Sequence, residues 1–334
     1  MIVTRAPYRI SFFGGGTDYE PWFSRFGGGF LSLSINYYTY ITLRIKPNFQ
    51  EKRYRILWRL AEEVNSIDLI RHPIVREVLK DYDYFYKGVD ISYIGDLPGG
   101  AGMGSSSAFT AALLLAIHTE KNKKINPYDL AKLSYDIEKN KLNETVGIQD
   151  QIATSYGGFN YVVINKDGSY SVSPVNLSEE KISIFRERLV LIYTGKTRSA
   201  TTIAEKKVNN MQNNLSRFSE LQKMVPEAYN ALLKSDYDTF GKMLDQSWQI
   251  KKNLADVVTS PDIDNIYDVG IKNGALGGKL LGAGGGGFII FLLRDGEKEN
   301  FLNKMSNYVN VPFKITYKGA EVVHNEDPLN GKLL

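Results

Sequence analysis

The residues with the most evident chemistry lie between Asp96 and Ala112, which read DLPGGAGMGSSSAFTAA. Glycines at 99, 100, 102 and 104 leave backbone N–H groups free to turn inward, and serines 105–107 open an Ala/Leu-rich helix whose N-terminus adds partial positive charge. Pro98, Gly99, Gly100, Ala101, Gly102, Met103, Gly104, Ser105, Ser106 and Ser107 thus form a candidate anion cradle that suits a triphosphate. The segment is not a Walker A loop, because no Gly-Lys-Ser/Thr follows. Nor is it a dinucleotide fingerprint, because Ser107 stands where the last glycine should be. Taken alone it fits a serine-capped glycine turn equally well. Glycine also clusters at 14–16, 27–29 and 282–287, so half of the 30 glycines fall in four short stretches of the kind that let backbone approach a ligand or another backbone. Without cysteine there is no disulfide, thiolate nucleophile or Cys-ligated metal, and the scattered His72, His118 and His324 argue against a histidine-built site. Hard cations on carboxylates remain.

A cradle of this kind must be held by a strand before it and a helix after it. Strand signals at 89–94 and a helix over 105–119 supply both. Residues 31–46 alternate β-branched and aromatic residues and predict a strand, as do 5–13, 159–164, 170–175, 189–193, 287–293 and 313–318. Asp167-Gly168 between two of these predicts a hairpin. Helices are predicted at 64–79, 127–139, 200–224, 226–234, 238–254 and 297–308. A chain of 334 residues favours two domains and therefore a cleft, here divided as 1–185, carrying the glycine loop, and 186–334. With 43% apolar and 23% charged residues the chain is a globular one, and a net charge of +4 provides no domain-wide basic field for nucleic acid. The first 18 residues do not read as a signal peptide, and the longest apolar run, 108–117, is half the length of a membrane span. The expectation is a soluble cytoplasmic protein with a small-molecule partner, no nucleic acid and no membrane; its oligomeric state is not legible.

Three segments, in order along the chain, resemble the GHMP kinases. Ala6-Pro7-Tyr8-Arg9-Ile10 through Gly14-Gly15-Gly16-Thr17-Asp18-Tyr19 is similar to the family's substrate-side motif, Pro98 to Ala108 to its phosphate loop with Met103 in the leucine position, and KLLGAGGGGF at 279–288 to its C-terminal glycine motif. The resemblance implies an α+β fold with a ribosomal-S5-domain-2-like N-terminal domain and a ferredoxin-like C-terminal domain, the active site lying between them. Galactokinases carry Glu-His where Gly15 and Gly16 stand, which argues against galactose. The Gly-Gly-Gly-Thr-Asp-Tyr form, with GIQDQ at 147–151 and TGKTRS at 194–199, is most similar to the heptose 7-phosphate 1-kinases, with fucokinases as near relatives.

From this resemblance follow the expected parts. The cofactors are ATP and Mg²⁺, and the reaction is phosphorylation of the anomeric hydroxyl of a heptose 7-phosphate. Glu138, 12 residues before Asp150, matches the metal-binding glutamate, with Glu144 as rival, and Ser106 matches the metal-binding serine. Asp150 matches the catalytic aspartate and Arg9 the basic residue facing it. An adjacent guanidinium favours the ionised carboxylate and weakens it as a base; a loose transition state and an acidic anomeric hydroxyl ease that conflict. Gly16, Thr17 and Asp18 belong to the substrate motif, Lys196 and Arg198 offer cations to a phosphate already on the substrate, and glycines 284–287, Gly285 among them, permit close packing beside it. Another sugar 1-kinase, such as a fucokinase, and a GHMP-fold protein that binds without turnover are the alternatives; Asp150, Arg9, Ser106 and Glu138 favour turnover.

Overall fold

The computed structural model describes residues 1–47, 49–197 and 200–326. The chain opens with β1 Ile2–Phe13, α1 Glu20–Phe26, β2 Gly28–Lys46, β3 Tyr54–Leu57, β4 Ala61–Val64, α2 Pro73–Asp81, β5 Gly88–Gly95, α3 Ser105–Glu120 and α4 Pro127–Asp136. A π-helical turn, Ile137–Lys141, leads to α5 Gln149–Tyr156, β6 Phe159–Ile164, β7 Tyr170–Pro174, α6 Glu179–Glu187 and β8 Leu189–Tyr193. Then come α7 Ala200–Asn209, α8 Leu215–Leu233, α9 Tyr237–Lys252, α10 Pro261–Lys272, β9 Ala275–Leu280, β10 Phe288–Leu293, α11 Lys298–Lys304, β11 Val309–Asn310 and β12 Glu321–Asn325.

Two sheets organise these elements. The larger runs β12-β1-β2-β5-β3-β4, and β6 and β7 extend it from β2; the smaller runs β11-β8-β10-β9. β2 is long enough to serve three partners: it pairs β1 along most of its length, β5 through residues 39–46 and β6 through residues 28–33. Near its end the chain returns from the smaller sheet, and β12 pairs with β1. α3 packs on β1 and β2 and is buried on nearly every side, as its unbroken Ala/Leu body requires. β10 is buried along its whole length because both faces are covered: Phe288, Ile290 and Leu292 join the main core, and Ile289, Phe291 and Leu293 join a second core with Trp248 and Phe301. The main core runs without a break from β1 to α9. Phe12 sits in it with ring centroids 5.7 Å from Phe159, 5.7 Å from Phe185 and 5.5 Å from Phe240.

Several expectations are corrected. Residues 64–79 form a 3₁₀ turn and α2 rather than one helix, because Pro73 starts a new helix at its first position. The helix expected over 200–224 breaks at 209, whereas α8 continues through Pro226, whose ring lies on the exposed side. Residues 313–318 make only an isolated bridge, Ile35 to Ile315. The serines opening α3 do not cap it: Gly104, left-handed at φ 76°, is the N-cap, and Ser105–Ser107 sit inside the first turn. No helix among the described residues is long and apolar enough to cross a membrane.

Truncating Phe12 to alanine removes the ring on which three aromatic residues from both parts of the chain converge, so a loss of about 3–5 kcal/mol is expected. Chemical denaturation with one cooperative transition checks it, and a loss below about 1 kcal/mol contradicts a core shared by the two parts.

Candidate active site

β1 carries Arg9 into a cleft between the two sheets, and the guanidinium binds Asp150 at the start of α5 in a two-pronged arrangement, Nε to Oδ1 and Nη2 to Oδ2, both at 2.8 Å. Nη1 donates to the Gly102 carbonyl at 2.8 Å, and the Arg9 backbone N–H donates to that of Met103 at 3.1 Å. Arg9 is thereby buried at 3% exposure, while the Asp150 side chain keeps 30% and stays open to the cleft. One side chain fixes both Asp150 and the glycine loop.

Of the loop, Gly100, Gly102, Gly104, Ser105, Ser106 and Ser107 line the cleft. Ala101 and Met103 are buried framework, and Pro98 and Gly99 are exposed outside the lining. Where Gly102 meets Gly282 neither tolerates a side chain: a Cβ on Gly102 would lie 2.7 Å from the Leu281 carbonyl oxygen, and one on Gly282 would lie 2.4 Å from the Gly102 Cα. The two glycine motifs, far apart in sequence, are a single packed contact. Gly285 is buried and donates its N–H to Val258 at 2.9 Å, away from the cleft lining.

Glu138 reaches the cleft because the helix widens into the π turn at 137–141, a local irregularity that re-aims a side chain. It is 1% exposed, and its Oε2 accepts from Ser107 at 3.0 Å and Gln151 at 2.9 Å. Its Oε1 is buried with no protein partner. Burial raises its pKa to about 7, opposed by the side chains of Thr110, Gln151 and Ser107. The serine bound to Glu138 is Ser107, while Ser106 stays exposed on the lining. Glu144 lines the same cleft, half-buried, its pKa also raised by burial. An orphaned carboxylate oxygen near a free serine suits a hard cation, and no cluster of three or more His, Cys, Asp or Glu among the described residues could hold a metal by itself. An ion there would complete its shell with phosphate oxygens and water, as Mg²⁺ does.

Opposite the loop, Asp18 is 6% exposed and accepts the Gly16 N–H at 2.8 Å. Burial raises its pKa. Gly147 packs against it so closely that a Cβ would lie 2.0 Å from Oδ2. Thr17 faces away from the cleft and ties the turn to Gly14 and Gly29 through its hydroxyl, both bonds 2.9 Å. Lys196 pairs with Asp262 outside the lining, and Arg198 lies outside the described residues. Where Lys196 was expected, the cleft contains Lys207, Lys251 and Lys279, which sequence reasoning missed. Lys279 opens the C-terminal glycine motif and could have been found there; Lys207 lies in a polar helix, and Lys251 ends another, with nothing to mark them. Burial lowers the pKa of Lys207 to about 8 and of Lys279 to about 7, and Lys251 falls well below its ordinary value.

A profile of "GHMP kinases N terminal domain" matches residues 68–158 and one of "GHMP kinases C terminal" matches residues 228–311, together more than half the chain and in the order the cleft requires. The chain belongs to the GHMP kinases. It is a phosphotransferase with a hydroxyl group as acceptor. A D-glycero-alpha-D-manno-heptose 7-phosphate kinase of Campylobacter jejuni is 28% identical over 96% of this GHMP kinase and 98% of its own length. A bifunctional fucokinase/GDP-fucose pyrophosphorylase of Arabidopsis thaliana is 26% identical over 89% of the chain, which spans 30% of that relative. The fold matches that of a solved D-glycero-D-manno-heptose 1-phosphate kinase from Bacteroides thetaiotaomicron with a TM-score of 0.81, 24% identity and coverage of 98% and 100%.

Because Lys207 and Lys279 titrate lower in the folded kinase than the 10.5 of a free lysine, the unfolded chain binds more protons from about pH 7 upward. Stability of the ligand-free kinase is therefore absent as a gain below pH 7 and rises between about pH 7 and 9.5. Glu138, raised to about 7, has the opposite sign but acts below that window. Calorimetric Tm across pH 7–9.5 at constant ionic strength should increase; a flat or falling curve contradicts burial of these ammonium groups.

Proposed function

We propose that this GHMP-family sugar kinase phosphorylates the anomeric C1 hydroxyl of D-glycero-D-manno-heptose 7-phosphate with ATP and Mg²⁺, giving the 1,7-bisphosphate that feeds nucleotide-activated heptose and surface glycan synthesis. The observation that carries the reading is the placement of Asp150. It lies between the glycine loop and Asp18, is held in the two-pronged grip of Arg9, and is still open to the cleft. Full-length similarity to a heptose 7-phosphate kinase supports the choice of sugar.

The chemistry follows from that placement. The nucleotide phosphates lie against the backbone of Gly100–Ser107, and the acceptor hydroxyl lies at Asp150 with neighbouring hydroxyls on Asp18. As the hydroxyl oxygen bonds to the γ-phosphorus, the bond to the β-bridging oxygen breaks, ADP leaves and the hydroxyl proton passes to Asp150. Arg9 holds Asp150 ionised and oriented until that late proton transfer. Glu138 Oε1 and Ser106 Oγ are the atoms that would hold Mg²⁺, which when bound neutralises charge on the phosphate oxygens.

Three measurements test this. With wild type, kcat/KM for the heptose 7-phosphate should exceed that for its unphosphorylated parent and for fucose and galactose by at least about tenfold, since each charge-assisted bond to the extra phosphate contributes roughly 1.5–3 kcal/mol. ³¹P NMR should place the new phosphate on C1; efficient fucose turnover with no advantage for the 7-phosphate selects the fucokinase reading, and a phosphate elsewhere removes both. Glu138→Gln should raise the Mg²⁺ concentration for half-maximal rate by about tenfold or more, with Glu144→Gln changing it little. The reverse pattern assigns the metal to Glu144.

A further inference from the structure

Three lysines from the C-terminal part of the chain end in the cleft, each more than nine-tenths buried: Lys207 at 6% exposure, Lys251 at 6% and Lys279 at 3%. Burying three ammonium groups together is unfavourable unless something neutralises them. Lys251 donates to the carbonyls of Leu280 and Gly282, both at 2.7 Å, and Lys279 donates to that of Phe12 at 2.9 Å. An ammonium has three donors, so one remains on Lys251 and two on Lys279. Lys207 feels Asp18 and Asp150 only through space, with no hydrogen bond to either. Asp150 is already engaged by Arg9, and Lys251 is repelled by Lys279, Lys207 and Arg9 together. The cluster is short of negative charge and has unspent donors on side chains that line the cleft.

A compact dianion with several oxygens, a phosphate monoester, matches that deficit. Two sources offer one: the phosphoryl group in transit from ATP, or a phosphate carried by the acceptor. The nucleotide side has its own donors in the glycine loop and its own carboxylate, Glu138. Lys207 and Lys279 instead stand with Asp18, whose charge both sense, on the acceptor side. We propose that Lys207 and Lys279, backed by Lys251, form the subsite that binds the phosphate carried by the acceptor sugar. This rests on the reading of the acceptor as a sugar phosphate and replaces Lys196, which Asp262 holds outside the cleft.

Two arms test it. In the first, the ratio of kcat/KM for heptose 7-phosphate to that for the unphosphorylated heptose is compared in wild type, Lys207→Met and Lys207→Arg. The ratio should fall at least about tenfold in Lys207→Met, mainly through KM, and recover in part in Lys207→Arg, which restores the charge. A loss shared equally by both sugars, or no loss, overturns the proposal; an equal loss assigns Lys207 to the phosphoryl group in transit. In the second arm, inorganic phosphate is titrated calorimetrically into enzyme already saturated with AMP-PNP and Mg²⁺, so that the nucleotide side is filled and every variant's fold is reported by nucleotide binding. Wild type should bind phosphate and Lys207→Met should bind it at least about tenfold more weakly; no binding by wild type, or equal binding by both, overturns the subsite. If wild type shows no preference for the phosphorylated sugar yet binds phosphate through Lys207, the heptose phosphate reading fails while the anion subsite stands.

Discussion

The Arg9 guanidinium has five N–H donors, and three of them are fixed: two on Asp150 and one on the Gly102 carbonyl. These bonds tie strand β1 to the start of α5 and to the glycine loop, three pieces that nothing in local sequence would bring into register. Breaking a buried pair by removing one partner costs about 3–5 kcal/mol, because the remaining charge is left uncompensated. The geometry of the cleft is thus stabilised by this pairing. The pairing is on one edge of the carboxylate, and the Asp150 side chain keeps 30% exposure toward the cleft.

The two parts of the chain also close on one another without side chains between them. Gly102 against Gly282, and Gly287 against the Ala101 carbonyl at a Cβ distance of 2.1 Å, leave room for backbone alone. Behind this seam, Phe12, Phe159, Phe185 and Phe240 form a continuous aromatic core.

Much of this was legible in the sequence where a single element carries the signal. The period-two pattern at 31–46 became β2, the Ala/Leu run became α3, and Asp167-Gly168 turned between β6 and β7. The short strands β3 and β4 were hidden because charged residues interrupt them, and α1, α6 and α10 because each is brief or starts among turn residues. The site divides along the same line. Arg9, Asp150 and Glu138 were found through the family resemblance, since a pairing across 141 residues leaves no periodic trace. The π turn that aims Glu138 has no signature in IEKNK, and Lys207 sits beside Lys206 in a helix whose polar face looks like any solvated one. Chemistry supplied by one loop could be read; chemistry supplied by convergence could not.

The cleft's electrostatics explain why convergence mattered. The cleft contains a carboxylate with an orphaned oxygen, Glu138, which burial holds near neutral pH. It also contains the ammonium groups of Lys207 and Lys279, which burial pulls toward neutral pH. Each set is poorly satisfied alone, one calling for a cation and the other for an anion, with the Arg9–Asp150 pair between them already neutral as a unit. Ligands of opposite charge entering the cleft would relieve both penalties together. Opposite deficits in one cleft thereby become binding selectivity for two differently charged ligands.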